Sequence, residues 1–386
     1  MAKIAIIGTG YVGLASAVGF AQLGHRVIGI DIDESKISKL QNGESPIFEE
    51  GIENSLKKSL EDSSIEFNTN YEKIKEAEFI FLCLPTPENE DGSANLDYVL
   101  DAVKRLNKYL KEDSTLIIKS TVPVNTWQKV KTILNRSDVA IVSNPEFLRE
   151  GTALADFFAP DRIVVGCQDQ NKAKQVIDLY QAKKATEVIT DNTSAEVIKY
   201  GSNSFLAVKL SFVNEIAAYC EATGANAIEV LSAMGMDKRI GKEFMKPGPG
   251  WGGMCFPKDV NALKHSAIEN LVPIPLLDAA LESNLKAHAR IVSKLKSLVG
   301  NDLTSKVVTI LGLTFKANTD DIRFSPAIAI AKLLINEGVR VKAFDPRVKE
   351  KLIEGIEICL NVEDSFSGSE AILVLTEWSE FANLEP

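Results

Sequence analysis

One cysteine of this sequence lies in a segment suited to binding a ligand. Residues 246–259 read KPGPGWGGMCFPKD, and four of them are glycines. This density of glycine and proline predicts a loop whose backbone amides can close on a ligand. Lys258 follows Cys255 by three positions, and a nearby cation favours the thiolate form of a cysteine. Cys255 is therefore a candidate nucleophile, and the alternative is a small packing residue.

The other four cysteines predict packing rather than chemistry. Cys83 and Cys167 lie in apolar strand-like runs, Cys220 in a helical pattern and Cys359 in a short apolar stretch. A buried free cysteine behaves as a small hydrophobe. The five cysteines are scattered and form no CxxC pair, so we expect neither a disulfide framework nor a metal site.

A glycine motif near the start of the chain is typical of dinucleotide binding. Residues 8–13 read GTGYVG, which matches G-x-G-x-x-G between a predicted strand and a predicted helix. Gly8 allows a tight turn, Gly10 lets the backbone approach a pyrophosphate, and Gly13 lets the helix pack on the strand. The helix N-terminus adds amide donors. A dinucleotide site is favoured over a glycine-rich turn without function.

A carboxylate indicates which dinucleotide is bound. Asp31 ends the second predicted strand, where it can accept hydrogen bonds from ribose hydroxyls and would repel a 2′-phosphate. The sequence therefore predicts NAD rather than NADP. Lys36 is close enough to contact the ribose or a phosphate, and a solvated lysine is an equal alternative. Asp33 is the predicted N-cap of a helix at 34–41.

A nicotinamide site and a nucleophilic cysteine together predict oxidation of an alcohol to a carboxylate. Removal of hydride from an alcohol carbon gives an aldehyde, which loses a second hydride only after a nucleophile has added to it. Addition of Cys255 would give a thiohemiacetal, its oxidation a thioester, and hydrolysis the acid.

Two further pairs of polar residues are spaced four apart. Lys199 and Asn203 share one face of a predicted helix, where they could stabilise an oxyanion. A snorkelling lysine and a packing asparagine are the alternative. Glu146 and Glu150 follow a predicted strand, at the sheet edge where ligands bind, and could act as acid or base. Their alternative is a solvated helix start.

Hydrophobic patterning predicts two α/β regions that would position these residues. Buried parallel strands are expected at 2–7, 26–30, 79–84, 115–119, 140–143 and 162–166, with a helix at 12–23. A helical pattern fills 194–223, about 45 Å at 1.5 Å per residue, and strands return at 306–311, 340–344 and 371–375. We predict an α/β protein with two Rossmann-like doubly wound domains, 1–193 and 301–386, joined by a long central helix and a helical domain at 194–300.

Composition excludes several classes of partner. The 386 residues are 45% hydrophobic and 25% charged, as in ordinary globular proteins, and the net charge is −10. An acidic chain argues against nucleic acid and anionic membranes as partners. No apolar run approaches the roughly 20 residues of a membrane span, and no signal peptide precedes the first strand. The expected location is the cytoplasm.

Taken together, these motifs resemble the UDP-glucose/GDP-mannose dehydrogenase family. The matching segments are GTGYVG at 8–13, PTP at 85–87, STVP at 120–123, NPEFLREG at 144–151, Lys199 with Asn203, RIG at 239–241, PGPGWGGMCFPKD at 247–259 and GLTFKANTDDIRFSPA at 312–327. They follow the family order and cover nearly the whole chain. The resemblance implies NAD as cofactor, a nucleotide sugar as substrate and a homodimer formed through the central helices.

The resemblance also implies a role for individual residues. The catalytic set is Cys255 as nucleophile, Lys199, Asn203 and Asp259 around the reacting oxygen and water, and Thr121 with Glu150 in thioester hydrolysis. The cofactor set is Gly8, Gly10, Tyr11, Val12, Gly13, Asp31, Lys36, Thr86, Thr121, Glu150, Lys258 and Arg323. The substrate set is Glu146, Phe147, Leu148, Arg149, Glu150, Lys199, Asn203, Arg239, Phe244, Lys246, Gly250, Trp251, Gly252, Phe315 and Lys316. Arg239 resembles an arginine that reaches the partner's substrate.

The resemblance leaves three functions open. Trp251 and the RIG segment resemble the branch that oxidises C6 of UDP-glucose to UDP-glucuronate with two NAD. Other nucleotide sugars, GDP-mannose or UDP-N-acetylmannosamine, are the first alternative. Met254 stands where the family commonly has a small residue. The chain ends at Pro386, where family members continue, and lacks a late substrate-binding arginine. An apparently truncated C-terminal domain makes an impaired nucleotide-binding subunit the second alternative.

Overall fold

The computed structural model describes residues 1–182, 184–348 and 353–384, and the chain divides into two compact units, Met1–Gly201 and Ser202–Pro386. The strands are β1 Lys3–Ile7, β2 Arg26–Ile30, β3 Ile65–Asn68, β4 Phe79–Leu82, β5 Thr115–Ile118, β6 Ala140–Ser143, β7 Arg162–Gly166, β8 Thr186–Thr190, β9 Val307–Leu311, β10 Arg340–Phe344, β11 Ile356–Ile358 and β12 Ala371–Val374. The α-helices are α1 Tyr11–Gln22, α2 Glu34–Gln41, α3 Ile52–Glu61, α4 Asp97–Leu106, α5 Thr126–Leu134, α6 Ala153–Phe158, α7 Gln170–Leu179, α8 Asn192–Thr223, α9 Ala227–Gly235, α10 Phe256–Glu269, α11 Pro275–Val299, α12 Pro326–Asn336 and α13 Val362–Phe366. Short 3₁₀ helices span Tyr71–Glu76, Asn107–Tyr109 and Ser379–Asn383.

The first unit contains a sheet in the order β3-β2-β1-β4-β5-β6-β7-β8. Its strand pairs are parallel except for β6 with β7. Successive strands are added on one side of β1 up to β3 and on its other side from β4 onward. The boundary between β1 and β4 is therefore the switch point where ligands bind in open α/β sheets. Gly8 and Cys83 immediately follow these two strands, so the glycine motif lies at that point.

Apolar cores cover both faces of this sheet. Helices α1, α3, α6 and α7 contribute to one core, where Phe20 contacts Phe81, Phe157 and Tyr180. Helices α4 and α5 contribute to the other. Because both faces are buried, strands such as β1 consist almost entirely of apolar residues.

The second unit contains the parallel sheet β11-β10-β9-β12 and several helices. Residues of α11 and α12 pack on this sheet. Two smaller apolar clusters hold the helical part together, one around Trp251 and Val260 and one around Val213 and Leu231. The predicted α/β class, with two doubly wound sheets and a helical stretch between them in the chain, is confirmed.

The sequence predicted the buried strands better than the strands at sheet edges. Four predicted strands, 26–30, 140–143, 162–166 and 340–344, coincide with the structure, and α8 begins two residues before the prediction. Strands β3, β8 and β11 were not predicted. Strands β3 and β11 are short and contain few buried residues, and β8 contains none, so none of the three has the continuous apolar run of a central strand. The division into three domains stays a prediction.

Candidate active site

The turn after β1 has the geometry that the glycine motif predicted. Gly8 has φ +90°, and a Cβ there would lie 2.6 Å from the Cys83 carbonyl oxygen. A Cβ at Gly13 would lie 1.9 Å from the Gly8 carbonyl oxygen. Packing therefore requires glycine at both positions. A Cβ at Gly10 would meet no described atom within 4 Å, so this backbone is open to close approach by a pyrophosphate.

Asp31 lies directly after β2 and faces this turn. Its Oδ2 accepts hydrogen bonds from the backbone N–H of Thr9 (2.9 Å), the Thr9 hydroxyl (2.9 Å) and Lys36 Nζ (2.8 Å). Burial raises the pKa of Asp31, but hydrogen bonds from Lys36, Thr9 and Asp33 outweigh it and hold the pKa below its ordinary value. The carboxylate is therefore ionised. Asp33 caps α2 by accepting from the Lys36 N–H, as predicted.

A cavity of about 370 Å³ opens beside this carboxylate. Its lining includes Gly8, Asp31, Tyr71, Tyr98 and Arg105. A carboxylate for the ribose, aromatic side chains for a base and an arginine fit the adenosine half of NAD. Tyr71, Tyr98 and Arg105 were not predicted from the sequence, since nothing in their spacing links them to residues 8–13.

Two hydroxyl side chains connect the ends of β4 and β5. The Thr86 hydroxyl donates to the Thr121 carbonyl (2.7 Å), and Ser120 Oγ accepts from the Leu84 N–H (2.8 Å). Thr86 is buried and Thr121 is half-buried. The segments PTP and STVP are thereby fixed beside each other at the carboxyl edge of the sheet.

A buried glutamate at the start of α8 holds the segment that follows Thr121. Glu196 accepts hydrogen bonds from the backbone N–H groups of Asn125 (2.6 Å) and Trp127 (3.0 Å). Burial raises the pKa of Glu196 to about 8, against the opposing effect of these donors. This residue was not predicted.

A buried ion pair joins the NPEFLREG segment to α8. Lys199 Nζ lies 3.0 Å from Glu146 Oε1, and the two side chains are 5% and 7% exposed. The Leu148 N–H donates to Glu146 Oε2 (2.7 Å). Burial raises the pKa of Glu146, but the charge and hydrogen bond of Lys199 outweigh it and the pKa falls below 4.5. Residues 144–150 form a loop rather than a helix start, since α6 begins only at Ala153.

Glu49, which was also not predicted, ties this loop to the glycine motif. Its carboxylate accepts from the backbone N–H groups of Gly151 (2.8 Å) and Ala153 (2.6 Å) and from the Tyr11 hydroxyl. Burial, followed by the hydrogen bond to Glu49, raises the pKa of Tyr11 strongly. The predicted cofactor residue Tyr11 therefore lies close to the half-buried Glu150, which directly precedes Gly151 and whose charge also raises the pKa of Tyr11.

A lysine at the end of β5 is buried among polar groups. Lys119 Nζ lies 2.8 Å from the Tyr180 hydroxyl, which donates to Asn144 Oδ1 (2.6 Å). Burial raises the pKa of the adjacent Cys83 to about 12, so this thiol is protonated at neutral pH. Cys83 is the buried packing residue that the sequence predicted.

In the second unit, Cys255 is exposed, whereas Cys83, Cys167, Cys220 and Cys359 are buried. Cys255 is the N-cap residue of α10, where the helix dipole favours a thiolate. Asp259, one turn later, is 1% exposed and accepts from Asn203 Nδ2 and Lys258 Nζ, each at 2.6 Å. Asn203 on α8 therefore reaches the first turn of α10, which contains Lys258 and Asp259 and begins after Cys255.

The loop at residues 246–255, called the cysteine loop below, contacts the segment that follows β9. A Cβ at Gly252 would lie 2.0 Å from the Phe324 carbonyl oxygen, and one at Gly253 would lie 2.7 Å from the Phe315 ring. Arg323 forms an ion pair with Asp321 and contacts Met254 Sδ. The predicted contacts Phe315, Lys316, Gly252 and Arg323 are thus gathered around the cysteine loop, and Lys316 Nζ lies over the Phe315 ring.

The turn after β9 repeats the arrangement seen after β1. Gly312 has φ +89°, and Asp345, directly after β10, accepts from the backbone N–H groups of Leu313 (2.7 Å) and Thr314 (3.1 Å). Asp345 Oδ2 also accepts from Trp378 Nε1 (3.3 Å). Asp345 is fully buried, unlike Asp31, so it fixes the turn that leads to Phe315.

Three further predicted substrate residues also lie in the second unit. Arg239 is 89% exposed and pairs with Asp237. Lys246 is exposed, and Phe244 packs near the Phe256 ring at 6.3 Å between centroids. Among the described residues, no helix is long and apolar enough to cross a membrane.

Family models match the chain in three consecutive stretches. Each is described as part of the UDP-glucose/GDP-mannose dehydrogenase family. The NAD-binding domain matches residues 2–184, the central domain 193–286 and the UDP-binding domain 309–386.

Individual proteins resemble the chain over nearly its full length. UDP-glucose 6-dehydrogenase of Bacillus subtilis is 42% identical, with 98% of this chain and 88% of that protein covered. The structure of a UDP-glucose dehydrogenase from Pyrobaculum islandicum is 35% identical with a TM-score of 0.95, covering 100% and 92%. That of a UDP-D-ManNAc dehydrogenase from Pyrococcus horikoshii is 26% identical with a TM-score of 0.88, covering 99% and 91%.

Proposed function

This chain belongs to the UDP-glucose/GDP-mannose dehydrogenase family, and we propose that it oxidises the C6 alcohol of UDP-glucose to the carboxylate of UDP-glucuronate. It is an NAD-dependent oxidoreductase, and each turnover uses two NAD. The observation that carries the proposal is Cys255, the exposed cysteine at the N-terminus of α10, in a chain 42% identical to a UDP-glucose 6-dehydrogenase.

For the residues of the second unit we propose covalent chemistry at Cys255. After the first hydride leaves C6, Cys255 Sγ adds to the aldehyde carbon and gives a thiohemiacetal. Loss of a second hydride converts this adduct to a thioester, and attack by water releases the acid and the thiol. Asp259 and Asn203, hydrogen-bonded at 2.6 Å, would bind the water and the reacting oxygen.

For the residues of the first unit we propose NAD binding and support of the two later steps. Bound NAD supplies the nicotinamide ring that accepts each hydride. Gly8, Gly10 and Gly13 with the N-terminus of α1 would bind its pyrophosphate, and Asp31 with Lys36 its ribose. Thr121 and Glu150 would position the attacking water, and Lys199 would stabilise negative charge on the oxygen at C6. The remaining cofactor contacts proposed are Tyr11, Val12 and Thr86 in the first unit; in the second unit they are Lys258 and Arg323.

For nucleotide-sugar binding we propose the loops that carry the family motifs. Residues 146–150 would contact the sugar in the first unit. In the second unit the contacts would come from Phe244, Lys246, Gly250, Trp251, Gly252, Phe315 and Lys316. Because the Trp251 side chain is buried, we propose that it acts by anchoring the loop, whose other residues contact the substrate.

We also propose that the enzyme is a homodimer. Phe205, Phe212 and Tyr219 are 67%, 51% and 68% exposed and follow one another at intervals of seven on α8. Seven residues make about two helical turns, so these side chains form one apolar stripe. The 89% exposed Arg239 supports the proposal that it completes the substrate site of the partner. NAD and nucleotide sugars as ligands support a cytoplasmic location.

A panel of nucleotide sugars tests the proposed function. UDP-glucose should give the highest kcat/KM when NADH formation is followed, with two NADH per UDP-glucuronate. Preference for UDP-N-acetylmannosamine or GDP-mannose would favour a sister enzyme, and no turnover with any of them would favour an impaired subunit.

Variants of Cys255 test the covalent route. Cys255→Ser and Cys255→Ala should bind both ligands, whereas kcat falls by at least a hundredfold, because the thiol acts in chemistry rather than in binding. Iodoacetamide should inactivate the wild type, and saturating UDP-glucose should protect it. A Cys255→Ala enzyme that makes UDP-glucuronate at near wild-type rate would exclude the covalent route.

A further inference from the structure

A buried asparagine on α11 holds the cysteine loop at the backbone N–H and C=O of a single residue, Trp251. The Trp251 N–H donates to Asn284 Oδ1 (2.8 Å), and Asn284 Nδ2 donates to the Trp251 carbonyl (2.9 Å). A side-chain amide has one acceptor and one donor edge, so Asn284 pairs with Trp251 as a neighbouring strand would. Asn284 is 9% exposed and Trp251 5% exposed. Loss of either partner would leave a buried polar group unpaired.

The loop also rests directly on the surface of α11. Gly250 has φ +132°, and a Cβ there would lie 2.7 Å from Asn284 Oδ1 and 2.6 Å from His288 Nε2. Any side chain would therefore displace the loop from the helix, in a conformation that only glycine adopts without strain. The close contact at Gly250 fixes the distance between the loop and α11, and the two hydrogen bonds at Trp251 fix the orientation of the loop backbone.

Two further groups hold the same loop but act differently. Trp251 Nε1 donates to Ser211 Oγ (2.9 Å) and fixes the indole. The Gly248 N–H donates to Asn214 Oδ1 (2.9 Å), so Asn214 contributes an acceptor to this contact. Asn284 contributes both an acceptor and a donor.

The position of Trp251 determines the position of the four residues that follow it, up to Cys255. Gly252 and Gly253 follow directly and pack against Phe324 and Phe315, and Cys255 comes two residues later at the N-terminus of α10. We propose that Asn284 is a positioning residue for nucleotide-sugar oxidation. It holds the backbone of Trp251 in the place from which the loop and Cys255 can contact the substrate. This proposal rests on the proposed function.

The variant Asn284→Asp changes one edge of this contact. Its carboxylate retains an acceptor for the Trp251 N–H but places a second oxygen against the Trp251 carbonyl, where repulsion replaces a hydrogen bond. Burial and the facing carbonyl oxygen should raise the pKa of the introduced carboxyl above its ordinary value, and its protonation would restore a donor at that position. At pH 8.5 we expect kcat/KM for UDP-glucose to fall at least tenfold, while KM for NAD stays within twofold of the wild type. The deficit should shrink at least threefold when the pH is lowered to 6.

Comparison with the wild type at each pH cancels the effect of the other titratable groups near Asn284, because both proteins contain them. His288 lies one turn after Asn284 on α11; burial lowers its pKa, and it is common to both proteins. Arg290 on α11 and Glu221 on α8 lie near one another at 3.9 Å and are common to both proteins. Recovery at low pH therefore reports the introduced carboxyl, and a purely structural lesion would not recover.

Ser283→Ala provides the matched control. Ser283 is buried next to Asn284 on the same helix, and its hydroxyl lies 3.5 Å from the Ser211 carbonyl rather than on the loop. We expect its kcat/KM to stay within twofold of the wild type. Asn214→Asp retains the acceptor for Gly248 and should lose less than Asn284→Asp. If Asn284→Asp does not fold, Asn284→Ser, whose shorter side chain cannot pair with both groups, should lose at least tenfold in kcat/KM for UDP-glucose while KM for NAD stays within twofold of the wild type. An Asn284→Ser enzyme with wild-type kcat/KM would then overturn the inference.

A second readout does not depend on the identity of the substrate. The rate of iodoacetamide labelling at the exposed Cys255 should change at least threefold in Asn284→Asp and return toward the wild-type rate at pH 6. If the wild type does not oxidise UDP-glucose, the proposed function fails and the labelling rates alone decide the role of Asn284. An Asn284→Asp enzyme with wild-type kcat/KM and labelling rate at pH 8.5, or with losses that do not change with pH, would overturn the inference.

Discussion

Removal of the charge on Glu146 should destabilise the protein strongly, because it leaves the buried Lys199 without its partner. The pair with Lys199 is 3.0 Å long, and both side chains are more than nine-tenths buried. At an effective dielectric constant of about 20, two unit charges at this distance attract by about 5.5 kcal/mol. Glu146→Gln removes that attraction but leaves the lysine in its buried position. The expected loss of unfolding free energy is about 3–5 kcal/mol.

The loss should depend on pH with a defined sign. The pKa of Glu146 is lower in the folded protein than its ordinary value of 4.5. Its contribution to stability is therefore complete above the unfolded pKa and is lost as the pH falls through the folded pKa. The difference in stability between the wild type and Glu146→Gln should be constant from pH 6 to 8 and should narrow below about pH 4.

Differential scanning calorimetry at several pH values measures this difference. For a unit of about 200 residues, 1 kcal/mol corresponds to about 2–4 °C, so we expect the first melting transition to fall by roughly 6–20 °C at pH 7. Glu187→Gln is the matched control, because Glu187 pairs with Lys174 at 2.8 Å but is 46% exposed. An exposed pair contributes at most about 1 kcal/mol. Equal shifts for both variants at pH 7 would refute the role assigned to burial.

Three other changes probe separate features. Asp31→Asn should narrow the preference for NAD over NADP at least tenfold in kcat/KM, because the carboxylate that repels a 2′-phosphate is lost; equal use of both cofactors by the wild type would contradict the assignment. Phe212→Lys places a charge in the apolar stripe of α8 and should halve the mass measured by light scattering, and an unchanged mass would exclude this face from the interface. Glu196 has a folded pKa of about 8, so the wild type should lose stability relative to Glu196→Gln as the pH rises from about 4.5 to 8, by at most about 1.4 kcal/mol per pH unit; parallel stability curves would show that Glu196 keeps an ordinary pKa.

Residues whose function depends on their own type and local context were predictable from the sequence. Gly8 and Asp31 directly follow strands that continuous apolar runs predict, and Gly13 lies in the first turn of the helix after Gly8, so the turn geometry follows from the local sequence. Cys255 could be distinguished from the other cysteines because it lies in a glycine-rich loop, whereas they lie in strand-like, helical or short apolar segments. The same reasoning located the buried strands of both sheets.

Residues whose function depends on distant partners were not predictable in this way. Glu49 contacts Gly151, which lies 102 positions away, and its local sequence resembles any acidic surface segment. Asn284 lies in a helix whose pattern predicts only packing, and its partner Trp251 is 33 positions earlier. Buried polar side chains of this kind acquire their role only when the fold closes around them.

The chain contains three tryptophans, and each indole N–H is bound at a different place. Trp127 donates to Thr193 Oγ1 (3.0 Å), beside the segment that Glu196 holds, and Trp378 donates to the Asp345 carboxylate in the turn after β9. Trp251 belongs to the cysteine loop. Variants that retain one tryptophan and carry phenylalanine at the other two positions would therefore emit from one region alone. Intrinsic fluorescence could then time the arrival of cofactor and nucleotide sugar separately, without an attached dye.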